Sequence, residues 1–136
     1  MTNTNTTIWV VDDDPSVCKA LRRLIKSAGF SVKTYSSAQL FLDDGRMEDS
    51  GLLILDVRMP ELSGLELQNQ MAASGSKIPI IFITAHDNGE AHTTAMERGA
   101  VAFLYKPFDD QDLLDAIYAG LGRVSSHGSN ATPVES

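Results

Sequence analysis

Five short apolar runs do most to constrain what this chain can fold into: Thr7–Val11 (TIWVV), Ser31–Tyr35 (SVKTY), Leu52–Leu55 (LLIL), Ile78–Ile83 (IPIIFI) and Val101–Tyr105 (VAFLY). The first, third and fourth are nearly unbroken in apolar residues, the pattern of strands covered on both faces. The second admits Lys33 and Thr34, which suits a sheet edge. Amphipathic stretches separate most of these runs. Such an alternation implies a parallel sheet with helices on both faces.

The intervening stretches carry helix signals. Asp14-Pro15 reads as an N-cap followed by proline at the first helical position; Val17, Leu21, Leu24 and Ile25 then mark one face, and Gly29 ends the helix. A second helix starts at Ser37 and carries Leu40 and Phe41 before Asp43-Asp44-Gly45. Leu62, Leu65 and Leu67 mark a third, from Ser63 or Gly64 to near Gly75. The fourth, Gly89–Arg98, is apolar only through Ala91, Ala95 and Met96, so it is expected to be among the less firmly held elements. The last begins at Asp109 and carries Leu113, Leu114, Ile117 and Leu121.

Right-handed crossovers narrow the topologies to a few, and a polar second strand favours the one that resembles the known flavodoxin-like α/β sandwich of three layers. Its five-stranded parallel sheet has the order 2-1-3-4-5, with five helices. The 136 residues fit one domain, expected over 8–122, with a disordered lead over 1–7 and a flexible polar tail or linker over 123–136. No stretch approaches the ~20 apolar residues of a membrane span, and the polar start lacks the basic residues of a signal peptide. A single cysteine, Cys18, makes no internal disulfide and reads as a small packing residue. The formal charge of −7, from 18 acidic and 11 basic residues, argues against direct nucleic-acid binding and is compatible with a divalent cation.

In open parallel sheets, ligand sites form outside the carboxyl ends of the strands. Here those ends read Asp12-Asp13-Asp14 after the first strand, Asp56 after the third, Thr84 after the fourth and Lys106-Pro107 after the fifth. The order makes strands one and three neighbours, so their carboxylates converge. Clustered carboxylates repel unless protons or a cation relieve them, and Mg²⁺ (or Mn²⁺) suits oxygen donors. Asp56 is then a candidate nucleophile that forms an acyl phosphate. Lys106 supplies a point charge and Thr84 a hydroxyl donor to phosphoryl oxygens. Asp14, directly before Pro15, reads instead as a helix cap.

These residues resemble the receiver domain of bacterial two-component response regulators. The likeness rests on VVDDDPSV (Val10–Val17), LDVRMPELSGLEL (Leu55–Leu67), FITA (Phe82–Ala85) and GAVAFLYKPF (Gly99–Phe108). It implies that Asp56 is the phosphoacceptor and that Asp12, Asp13, Asp56 and the backbone carbonyl of Arg58 hold the metal, Asp13 being favoured over Asp12 as direct ligand. It further implies that Lys106 pairs with the phosphoryl group, that the Lys106–Pro107 bond is cis, and that Thr84 and Phe103 form a switch pair. Arg58 and His86 would flank the phosphate mouth and bear on the lifetime of the phosphorylated form, although a histidine such as His86 is more often a plain loop residue. The implied partner is a sensor histidine kinase or a histidine phosphotransfer protein in the cytoplasm. The readout surface would be the fourth helix, fifth strand and fifth helix, which could also form a homodimer. The RMP-x-x-SG wording is similar to receivers of helix-turn-helix transcription regulators, though no such pattern follows here.

Two other readings stay open at this stage. An aspartate-nucleophile phosphatase usually needs a second carboxylate two residues on, where this chain has Arg58. A binding or scaffold module of the same fold would never be phosphorylated.

Overall fold

The computed structural model describes residues 3–44, 51–85 and 89–122. In chain order the elements are β1 (Asn3–Val11), α1 (Pro15–Ser27), β2 (Phe30–Tyr35), α2 (Ala38–Asp44), β3 (Leu52–Asp56), α3 (Gly64–Ala73), β4 (Ile80–Thr84), α4 (Gly89–Glu97), β5 (Ala102–Tyr105) and α5 (Asp110–Gly120). The five strands form one sheet of order β2-β1-β3-β4-β5, and every pairing is parallel.

Alternation along the strands builds two cores, because successive side chains point to opposite faces of a sheet. Ile8, Val10, Leu52, Ile54, Ile81 and Ile83 pack with Leu21 and Ile25 of α1 and with Leu113, Ala116 and Ile117 of α5. Trp9, Val11, Leu53, Leu55 and Phe82 face the other way. They pack with Phe41 of α2, Leu67 and Met71 of α3, and Ala91 and Ala95 of α4. All of β3 and β4 is buried, while β2 at the edge exposes Ser31 and Lys33.

Local chemistry sets the helix starts. The Asp14 side chain accepts a hydrogen bond from the Ser16 N–H, with Pro15 in the first turn. Ser63 and Glu66 form a reciprocal capping box at α3.

Several expected positions differ. β1 begins at Asn3 rather than Thr7, so residues 3–7, expected to be a disordered lead, belong to the strand; its pairing with β2 is irregular between Asn3 and Thr7. Leu40 is 50% exposed although it follows the helical apolar pattern, because Ala38 and Phe41 take the inward positions of the short α2. Met96 is likewise 38% exposed, one position past the buried Ala95. The expected tail over 123–136 lies outside the described residues. No helix among the described residues is long and apolar enough to cross a membrane.

Candidate functional site

The carboxyl ends of β1, β3, β4 and β5 meet on one rim. Val10 pairs with Ile54 and Val11 with Leu55, which brings Asp12 beside Asp56. Asp56 pairs with Ile83 and Thr84 with Tyr105, which places Thr84 and Lys106 on the far side of Asp56. Carboxylate oxygens of Asp12, Asp13 and Asp56 lie within 4.8 Å of one another. Asp12, Asp56 and Thr84 are buried, while Asp13 is exposed and opens the cluster to solvent.

Each buried carboxylate has specific partners. Asp12 accepts from the Asp14 N–H at 2.9 Å through Oδ1 and from Lys106 Nζ at 2.8 Å through Oδ2. Asp56 Oδ1 accepts from the Arg58 N–H at 3.3 Å. Burial pushes the Asp56 carboxyl up to about 7, and the nearby Asp12 charge pushes the same way against Lys106 and the Arg58 N–H. Three carboxylates therefore face one ammonium, and the cluster holds a proton near neutral pH that a cation would displace. Hard oxygen donors, crowded negative charge and one exposed edge fit a Mg²⁺ or Mn²⁺ ion held by Asp12, Asp13 and Asp56.

The backbone around Asp56 is held tightly. The Val57 N–H donates to Ile83 O, and the Gly64 N–H donates to Val57 O at 3.0 Å. A Cβ on Gly64 would stand 2.2 Å from the Asp56 carbonyl oxygen, so the start of α3 reaches the end of β3 only because residue 64 has no side chain. Glu61 adopts a positive φ of 71° within the same loop. The Lys106 N–H donates to Thr84 O at 2.8 Å, and the Lys106–Pro107 peptide is cis.

Arg58 reaches the site through its N–H and is otherwise exposed; His86 lies outside the described residues. Phe103 is buried on β5, against the Phe82 ring at 6.0 Å. Three residues near the site were not singled out for these roles from sequence. Cys18 donates through Sγ to Asp12 O at 3.2 Å, tying α1 to the end of β1; burial raises its pKa and keeps the thiol protonated. Gly64 was legible only as one of two possible first residues of the third helix. His92 on α4 lies against Phe103, and nothing in the sequence marked it.

A parallel 2-1-3-4-5 sandwich with an acidic cluster and a lysine on its carboxyl rim defines an open α/β domain whose ligand site lies at the switch point in strand order. The family model described as the response regulator receiver domain matches residues 8–118. This chain belongs to that family. Response regulator protein TodT of Pseudomonas putida is 45% identical over 134 residues, covering 98% of this chain and 59% of TodT. The transcriptional regulatory protein FixJ of Azorhizobium caulinodans is 41% identical over 121 residues, covering 89% of this chain and 57% of FixJ. The chain thus spans well under two thirds of these curated relatives.

Among solved structures, the response regulator StyR superposes with a TM-score of 0.81 at 50% identity, covering 90% of this chain and 62% of StyR. The N-terminal fragment FixJ-N superposes with a TM-score of 0.78 at 36% identity, over 96% of this chain and 99% of that one.

Proposed function

We propose that this receiver domain accepts a phosphoryl group on Asp56 from the phosphohistidine of a sensor kinase or phosphotransfer protein, in a Mg²⁺-dependent reaction. The observation that carries this reading is the convergence of the Asp12, Asp13 and Asp56 carboxylates, with Lys106 held 2.8 Å from Asp12. An Asp56 oxygen attacks phosphorus; the new O–P bond forms as the N–P bond to the donor imidazole breaks, and the departing imidazole takes up a proton. Asp12, Asp13, Asp56 and the Arg58 carbonyl would hold the Mg²⁺, which would supply positive charge to the phosphoryl oxygens and favour the deprotonated Asp56 carboxylate. Lys106 exchanges Asp12 for a phosphoryl oxygen, and the Thr84 hydroxyl donates to another. Hydrolysis returns the carboxylate and inorganic phosphate, at a rate to which Arg58 and His86 contribute.

Bonding of Thr84 to the phosphoryl group selects the buried position of Phe103 and shifts a pre-existing equilibrium on the α4–β5–α5 face. That face is the proposed output and homodimer surface, in a cytoplasmic regulator. The relatives TdiR and FixJ are transcriptional regulatory proteins, which supports a transcriptional output carried by a segment beyond this domain.

The test is intact mass after incubation with acetyl phosphate and Mg²⁺. One phosphoryl adduct that needs the metal and is lost in Asp56→Asn is the expected result. No adduct, together with no binding of beryllofluoride (an acyl-phosphate mimic), would sink the proposal.

A further inference from the structure

The α4–β5 face carries an aromatic cluster that the phosphoryl chemistry itself does not use. The His92 imidazole on α4 is stacked on Phe103, with centroids 4.8 Å apart and planes 4° from parallel. The Tyr105 hydroxyl lies 3.3 Å from His92 Nδ1, and the Tyr105 ring meets Phe103 edge-on at 5.4 Å. On its other side Phe103 touches the Phe82 ring. Phe103 is thereby 8% exposed, although it lies on an edge strand whose other residues are only half-buried. The inward-facing neighbours of His92 on α4, Ala91 and Ala95, are too short to cover a ring of that size.

We propose that His92 is the positioning residue of the switch: stacked on Phe103 and bonded to Tyr105, it holds the Phe103 ring in its buried position before any phosphoryl transfer. The inference rests on the reading of Thr84 and Phe103 as the switch pair. A parallel stack between aromatic planes adds to simple burial, so the ring-in form gains population from it. A ligand that selects that form then binds in proportion to the fraction already present. Residue 92 therefore sets how readily the domain responds, without touching the phosphoryl group.

The experiment compares wild type with His92→Ala, His92→Phe and Tyr105→Phe. One readout is beryllofluoride affinity with Mg²⁺. The other is the ¹⁹F resonance of residue 103 in fluorophenylalanine-labelled protein, assigned with Phe103→Leu. His92→Ala is expected to move that resonance toward the solvent-exposed position and to weaken beryllofluoride binding roughly threefold to tenfold. His92→Phe keeps the stack without the hydrogen bond and is expected to restore most of the affinity; Tyr105→Phe is expected to lose about twofold. A merely structural role would lower stability in all three variants and leave affinity and resonance unchanged, which would overturn the proposal. Failure of wild type to bind beryllofluoride would overturn the phosphoacceptor reading instead; the resonance of residue 103 in His92→Ala still decides whether His92 holds the ring.

Discussion

Asp56 is asked to be both buried and charged, and the two demands conflict. Its carboxyl is pushed up to about 7 from an ordinary value of 3.8, first by burial and then by Asp12. The native state therefore keeps a proton between about pH 4 and pH 7 that the unfolded chain has released. Stability attributable to this residue is present at the acid end, falls as pH rises through that window, and levels off above it. In metal-free protein, Asp56→Asn is expected to be more stable than wild type at pH 8, by on the order of 1–2 kcal/mol, with the gap closing near pH 4. Urea midpoints of both proteins in chelator across pH 4–8 check this, and parallel profiles would contradict it. Lys106 limits the conflict by neutralising Asp12, which has 0% exposure.

At the scale of elements, α3 and α4 show two ways of holding a helix. α3 is fixed by its capping box and by contact of Gly64 with the backbone of Asp56. Gly64→Ala must push the start of α3 off β3. It is expected to cost about 2–3 kcal/mol and to slow phosphoryl uptake on Asp56, measured by urea unfolding and intact mass. Wild-type values for both would show that the loop gives way cheaply. α4 buries only Ala91 and Ala95, and is tied to α3 by Gln68 Nε2 donating to Ala95 O and Arg98 Nη1 donating to Leu65 O, each at 3.2 Å. Few apolar anchors and a handful of polar ties suit an element that moves. Amide exchange through residues 89–98 is expected to be faster than in α1, whose Leu21 and Ile25 lie in the core. Equal protection would remove α4 as the mobile part of the switch.

For the whole molecule, the carboxylate cluster sits on the rim where β1 and β3 end, and relief of its charge favours the folded state in which these carboxylates are held together. A metal that binds only the folded state raises stability by mass action, about 2.7 kcal/mol at a hundredfold excess over its dissociation constant. Adding Mg²⁺ is expected to raise the melting temperature by several degrees, and Asp13→Ala to abolish most of the rise. Thermal melts with and without Mg²⁺ test this; no shift in wild type would mean that the cluster holds no cation.

The sequence by itself determined the alternation of strands and helices, the cap at Asp14, the strand order and the identity of the rim residues. The alternation and the cap follow from local periodicity and capping chemistry, whereas crossover handedness only narrowed the strand order, which was completed by likeness to a known fold type. It misjudged the start of β1 and the inward faces of α2 and α4, where an apolar residue at a helical step ended in solvent because short helices cover little sheet. Only the tertiary structure decided that Lys106 takes Asp12, 94 residues away, that Asp56 is buried deeply enough to hold a proton near pH 7, and that His92 is stacked on Phe103. These depend on distances between side chains brought together by packing, and charge and ring contacts at 3–5 Å have no periodic signature in a chain.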